Sequence, residues 1–337
     1  MQDMVQPTKR VLNIVAHEDD DLLFLNPDLL HVIQASHNVR TIYLTAGDTG
    51  VGVNYRRKRE VGVLAAYAQM CGVANSWTET DAYISGHPIP VFTLSDHPSV
   101  SLAFMRLPDG NFDGTGFAST GRVSLQRLWT GAISTIEVLD GSSSYTKATL
   151  ISTFASLISS FQPDQVNMQD YVGTYGDGDH SDHHSVAYFV QSALQHYSAP
   201  HSFTGYEGYN SCFRPANVTG ADLVAKRDAF YIYTQHDHLV WGVPQIMTKF
   251  GIVSVGFCRF VSLLRLRKYA DSLVIGKRTI SNNEGSYIAW LQRQYTVGLG
   301  FGGGKSQLVA TSGRVDNRQR NSVPNCQLQM AGDFCLG

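Results

Sequence analysis

Two short segments concentrate the side chains able to do acid–base or metal chemistry: Ala16-His17-Glu18-Asp19-Asp20-Asp21 and Asp177-Gly178-Asp179-His180-Ser181-Asp182-His183-His184. In the first, a run of carboxylates follows an imidazole. Such charges repel one another, and a fold gathers them in one loop when something cationic answers them. A divalent metal is the simplest candidate. The His-x-x-Asp spacing lets His17 and Asp20 turn to a common point, while Asp19 faces a water beside it. A solvated acidic loop that caps the following helix competes with this reading for the segment taken alone. In the second segment, Val186, Ala187, Val190 and Leu194 continue at helical spacing from His183. His183 then stands in the first turn on the buried face, with Ser181 or Asp182 as N-cap. Two histidines and one carboxylate, with a position left open for water, form a catalytic rather than a structural zinc set. His184, one residue on, points elsewhere and reads as a surface residue.

The surrounding pattern supplies a scaffold for both segments. Val11-Leu12-Asn13-Ile14-Val15 reads as a strand running straight into the first acidic cluster, and Arg40-Thr41-Ile42-Tyr43-Leu44 as a second strand, with a helix-length stretch at 27–36 between them. Strand, helix, strand at this spacing is a right-handed βαβ unit. Helical spacing recurs over 55–72, where Val61, Leu64, Ala65, Ala68 and Cys71 form the apolar stripe and Gly72 caps the end. It recurs at Leu150, Phe154, Leu157, Ile158 and Phe161, followed by a short strand at 165–168, and again over 221–235. The stretch 88–120 reads as loop-rich. The fold class is therefore α/β, a Rossmann-like, mostly parallel sheet with helices on both faces, whose ligands sit beyond the carboxyl ends of the strands. The division is an α/β domain over 1–270 and a small β-rich, Gly/Ser/Asn-rich extension over 271–337.

Composition narrows the partners. The 337 residues are 43% hydrophobic and 16% charged, and 26 Lys+Arg against 28 Asp+Glu give a net charge of -2. That excludes a disordered chain and offers no basic field for nucleic acid. No apolar run is long enough to span a membrane, the best candidate at 252–264 being broken by Arg259. The five cysteines form no CxxC pair; Cys71 reads as a buried thiol, and Cys326 with Cys335 as a disulfide closing a short tail loop. With the sequon Asn217-Val218-Thr219, this leans towards a secreted protein, although the chain starts without a signal sequence. Other motifs fall short. Gly302-Gly303-Gly304-Lys305-Ser306 lacks the leading glycine of a phosphate loop, Asp177-x-Asp179 lacks the closing glutamate of a calcium loop, and no G-x-S-x-G elbow occurs. His236-Asp237-His238 reads as a surface run or as support for other groups rather than as ligands.

At the two acidic segments the chain resembles the zinc-dependent de-N-acetylases of the PIG-L/LmbE family, which carry Ala-His-Pro-Asp-Asp-Glu after their first strand and His-Pro-Asp-His before a later helix. Arg57-Lys58-Arg59-Glu60 opening a helix that ends at Cys71-Gly72-Val73, Leu107-Pro108-Asp109-Gly110, and the late helix from Lys226 to Gln235 extend the resemblance over roughly residues 10 to 240. The resemblance implies that His17, Asp20 and His183 bind Zn2+, or another divalent ion, and that Asp19 is the general base. It further implies that a cationic His180 stabilises the oxyanion or protonates the leaving amine and that Asp182 orients a neighbouring histidine. Arg57 and Asp109 are the residues it places towards substrate, and Glu18, a departure from the family that adds a charge beside the metal, is expected to bear on substrate choice. Glu18 and Ser181 stand where the family has proline, and Asp21 where it has glutamate.

The implied reaction is hydrolysis of an N-acetyl group on an N-acetylglucosamine-type sugar or oligosaccharide, giving acetate and a free amine. Family acceptors range from lipid-linked inositol glycans to short oligosaccharides and antibiotic scaffolds, and no feature of the sequence selects among them or assigns an oligomeric state. Two alternatives stand beside this reading: a non-catalytic carbohydrate-binding protein that uses loop aromatics such as Phe112, Phe117 and Trp129, and an amidase or esterase acting on a non-sugar acyl group.

Overall fold

The computed structural model describes residues 8–240 and 287–302. The apolar run at 252–264, the Cys326 and Cys335 pair, and most of the extension lie outside them.

β1 (Arg10–Val15) leads through a π-helical turn at Asp21–Leu25 into α1 (Asp28–Gln34) and β2 (Asn38–Thr45). The two strands pair in parallel, Ile14 beside Ile42, which completes the βαβ unit. α2 (Val53–Cys71) follows and ends with Gly72 at φ 67°, the left-handed cap that glycine adopts without a Cβ penalty. Next come β3 (Trp77–Asp81), β4 (Pro90–Leu94), β5 (Val100–Leu107), the short α3 (Leu125–Thr130) and a small ribbon of β6 (Ile136–Glu137) and β7 (Ser144–Tyr145). α4 (Lys147–Phe161), β8 (Gln165–Gln169), α5 (Ser181–Leu194), β9 (His201–Tyr206), α6 (Gly220–Thr234) and β10 (Thr296–Gly302) complete the described chain.

The main sheet runs in the order β10-β9-β8-β1-β2-β5-β4-β3. β9, β8, β1, β2 and β5 are parallel, whereas β10 and β4 pair antiparallel with their neighbours. The chain runs from β1 to β2 on one side and from the neighbouring β8 to β9 on the other, so a crevice opens beyond the carboxyl ends of β1 and β8. Alternation along the strands feeds two cores. Leu12, Ile14, Ile42 and Leu44 pack under α4 and α5 with Leu150, Phe154 and Val190, while Val15, Val39, Tyr43 and Phe104 face Val63, Tyr67 and Phe230 of α2 and α6. A buried polar line crosses the sheet as well. Asn167 donates to Asn13 (2.9 Å), Asn13 to Thr41 (3.1 Å), and Tyr67, in contact with Thr41, donates to Asp21 (2.5 Å), tying the first acidic loop to α2.

Three expectations need correction. The stretch 88–120 holds β4 and β5, and β5 is interior; its prolines and glycines lie in the flanks and mask a run of eight residues, VSLAFMRL, buried at all but one position. On α2 the interior face is not the apolar stripe: Val61 is exposed, while Arg56, Arg59 and Glu60 are buried. Charge pairing makes this tolerable, since Glu60 accepts from Arg56 and Arg106, each at 2.8 Å. Finally, residues 287–302, assigned from sequence to the extension, are part of the α/β body. β10 joins its sheet, and Trp290, 3% exposed, stacks on Tyr209 with ring centroids 4.7 Å apart and donates from Nε1 to the Tyr209 carbonyl. The buried Lys226 Nζ fastens the same segment by donating to the carbonyls of Trp290 and Arg293. Trp290→Ala is expected to cost about 3–5 kcal/mol of stability, as aromatic truncations in packed cores do; urea denaturation measures this, and a loss below about 1 kcal/mol would show that the segment is only loosely attached.

Candidate active site

His17 to Asp21 begin where β1 ends, and His180 to His183 open α5 just after β8, so the two acidic segments meet at the crevice beside β1. The first loop is locked locally, with the Ala16 amide donating to Gln169 and the His17 amide to Asp20 Oδ2 (2.7 Å). The start of α5 differs from expectation: neither Ser181 nor Asp182 is the N-cap. His180 is, its Nδ1 accepting from the Asp182 amide at 3.1 Å. That bond leaves the proton on Nε2, which faces Asp109 Oδ1 at 3.8 Å.

His17, His180 and His183 converge, with ligand atoms within 4.8 Å of one another. The Asp20 carboxylate lies between two of them, Oδ2 3.3 Å from His17 Nδ1 and Oδ1 3.1 Å from His183 Nε2. His183 Nδ1 donates to Asp179 at 2.8 Å, and Asp179 is held in turn by the amides of His180 and Tyr209. His17 Nε2 meets Asp182 Oδ2 at 3.3 Å, and that oxygen also accepts from the Gly110 amide. His183 Nε2 is fully buried, close to Asp20 Oδ1 and yet without a hydrogen bond. With Nδ1 committed to a carboxylate, this is the arrangement of a metal-binding imidazole oriented by its outer partner. Two histidines and one carboxylate converging in this way fit a zinc-type ion.

Asp19 differs from its neighbours. It points to Arg59, whose Nη2 donates to Oδ1 at 2.5 Å, and at 13% side-chain exposure it reaches the surface more than Glu18 or Asp20. Arg59 is the residue that the sequence reading missed: Arg57, expected at the substrate site, is exposed, and Arg59, two positions on, turns inward. The spacing of Tyr55, Arg59 and Val63, on the helix face opposite the apolar stripe, carried the signal. Glu18, expected to meet substrate, is 1% exposed and sits 3.6 Å from Arg59 with neither oxygen hydrogen-bonded. Asp109 does lie beside His180. His184 is no surface residue; it is buried, with Nδ1 on the Asp170 carbonyl and Nε2 on Asp177, and clamps the loop ahead of α5. Two glycines permit close approaches. A Cβ on Gly47, at φ +47°, would meet Arg59 Nη1 at 2.0 Å, and one on Gly208 would stand 2.5 Å from Asp179 and 2.6 Å from His183.

Electrostatics separate the groups. Burial disfavours charge on His183, but Asp20 and Asp179 outweigh it and raise its pKa to about 10. His17 is raised for the same reason, burial being overcome by Asp20 and Asp182. Burial and the neighbouring His17 push His180 down to about 3, so it is a neutral Nε2–H donor rather than the cation expected from sequence. Burial, partly offset by Arg59, lifts Asp19, and it lifts Glu18 to about 8. Asp21 rises to about 7 through burial, against hydrogen bonds from Tyr67 and Tyr43.

In the ion-free protein His17, His183, Glu18 and Asp21 all bind protons more tightly folded than unfolded. The folded state then holds more protons, and stability falls as pH rises through roughly 6 to 9. His180 acts oppositely, but only below its unfolded value of about 6.5, and the buried Lys226, which burial holds well below the usual lysine range, opposes the four raised groups as a single one. Thermal melts with a chelator present are expected to give a higher Tm at the acidic end of that window; a Tm that climbs with pH would contradict the assignment.

Residues 12–194 match the PIG-L family, described as GlcNAc-PI de-N-acetylase. No curated protein matches the chain. Among solved structures, N,N'-diacetylchitobiose deacetylase from Pyrococcus horikoshii is similar at 14% identity and TM-score 0.41, covering 70% of this chain and 73% of that one. The zinc-inhibited form of a teicoplanin deacetylase is similar at 17% identity and TM-score 0.39, over 69% and 86%. A 4-carboxy-2-hydroxymuconate hydratase from Pseudomonas putida is similar at 13% and 0.38, over 74% and 91%.

Proposed function

This chain belongs to the PIG-L family of de-N-acetylases, and from that premise we propose that it hydrolyses the N-acetyl group of an N-acetylglucosamine-type sugar, with His17, Asp20 and His183 holding a zinc ion. The observation that carries the reading is the buried convergence of His17, His180 and His183, with the Asp20 carboxylate between His17 and His183 and Asp19 beside them on Arg59. A zinc ion held there would supply a Lewis acid for the acetyl carbonyl and for water. The chain's own groups do the rest. Asp19, partly exposed and outside the ligand set, accepts the proton of the attacking water. His180, with its tautomer fixed by the Asp182 amide, donates from Nε2 to the oxygen that gains charge, an effect typically worth about 3 kcal/mol for one donor. Asp182 holds His17 in place.

Support for a sugar comes from the open side. Phe112, half-buried, lies with its ring centroid 6.2 Å from that of His180 and nearly parallel to Tyr209, which gives the donor an apolar wall suited to the C–H face of a pyranose. The test is acetate release by the zinc-loaded protein from N-acetylglucosamine, N,N'-diacetylchitobiose and simple acetylated amines. Turnover of the sugars above the amines is expected. Equal turnover of simple amides would make the chain a general amidase, and sugar binding without acetate would make it a carbohydrate-binding protein.

A further inference from the structure

Asp237 stands in the His236-Asp237-His238 run after α6, beyond residue 194 where the family match ends, and no step of the proposed reaction uses it. It is 1% exposed. Its Oδ1 accepts from the Tyr55 hydroxyl at 2.8 Å, and its Oδ2 from the Tyr233 hydroxyl at 2.7 Å. The Tyr233 oxygen in turn accepts from Arg59 Nε at 2.6 Å, and Arg59 Nη1 donates to the Gly47 carbonyl at 2.7 Å. Two nitrogens of the guanidinium are thus fixed before the third reaches Asp19. Among the described residues no other group donates to that carboxylate.

A carboxylate on a loop turns freely about its side-chain bonds, and each wrong rotamer removes it from the proton it must take. A planar fork anchored at two corners presents its third corner in one direction, which a flexible ammonium does not. We propose that Asp237 and Tyr233 are positioning residues for the base: they lock Arg59, and through it hold Asp19 aimed at the attacking water. The inference rests on Asp19 being that base. It extends the working site to α6 and the turn after it, which contribute no group that touches substrate.

The test uses the full chain, zinc-loaded, with N,N'-diacetylchitobiose as probe. Arg59→Lys, Tyr233→Phe and Asp237→Asn are each made alone and in an Asp19→Asn background. Asp237→Asn replaces one acceptor oxygen by a donor, so one tyrosine hydroxyl must let go or reverse its role. Arg59→Lys is expected to lower kcat about 100-fold, and the two remote variants about tenfold, with KM within about twofold and zinc content unchanged. In the Asp19→Asn background none of them lowers turnover further, because the group they aim is gone. Full kcat in folded, zinc-loaded Arg59→Lys and Asp237→Asn would overturn the proposal, as would losses that multiply with that of Asp19→Asn. A crystal structure of Asp237→Asn should show the Asp19 carboxylate turned from Arg59 or spread over rotamers; an unmoved carboxylate also counts against it. Should Arg59→Lys fail to fold, Tyr233→Phe removes a single oxygen and carries the comparison. If Asp19→Asn itself keeps its turnover, or wild type releases no acetate, the reading of the reaction fails first, and that result appears with the Arg59 network intact.

Discussion

Asp19→Asn is expected to keep its zinc and to lose turnover by about three orders of magnitude, within the 10²–10⁴ range that a positioned proton acceptor contributes. The substitution preserves shape and one oxygen for Arg59, so the 2.5 Å contact survives in part. What disappears is a site that can take the proton. Metal content is expected to stay, because the groups that converge on Asp20 are His17 and His183 and not Asp19. Steady-state acetate release with parallel metal analysis makes the comparison, and turnover within about tenfold of wild type would remove Asp19 from the role of base.

His183→Ala attacks the other half of the site and is expected to abolish activity by losing the ion. The imidazole is fully buried between Asp20 and Asp179, and its removal takes one partner from each of two interior carboxylates. Stability should fall as well, by about 3–5 kcal/mol, because an uncompensated buried charge remains. Asp179→Asn is the milder probe. It keeps the ligand but weakens the bond that orients it, and a loss of about 10–100-fold in zinc affinity is expected from such an outer partner. Chelator competition measures both. Zinc loading of wild type near pH 7 should also release protons, since His17 and His183 hold theirs above the usual histidine range until an ion displaces them. Unchanged zinc affinity in His183→Ala would dismantle the ligand set.

Much of this was legible in the residue order. The first βαβ unit followed from alternating β-branched runs around a helix-length stretch, and both acidic segments fell at element junctions where side chains can converge. The helix at Lys147–Phe161 buries every residue of its apolar stripe. The misses share a physical cause. Hydrophobic periodicity finds faces that are buried because they are oily, whereas α2 turns Arg59 and Glu60 inward because charges on other elements meet them there, and Arg56 follows by pairing with Glu60. Those partners, Asp19, Arg106 and Asp237, are remote in sequence, and only the folded chain brings them together. His184 was misplaced likewise. A histidine beside a ligand reads as the outer face of the helix, but the loop from Asp170 to Asp177 folds back over it. β5 was lost to the prolines and glycines around it, whose turn signal outweighed eight residues that the sheet buries.

The strap formed by residues 287–302 also sets an order of events in biosynthesis. Trp290 braces Tyr209, the Tyr209 amide holds Asp179, and Asp179 fixes the ring of His183. Every group proposed to touch the ion leaves the ribosome long before the indole that steadies this line. A nascent chain therefore carries these histidines and carboxylates before the indole that braces them has been made.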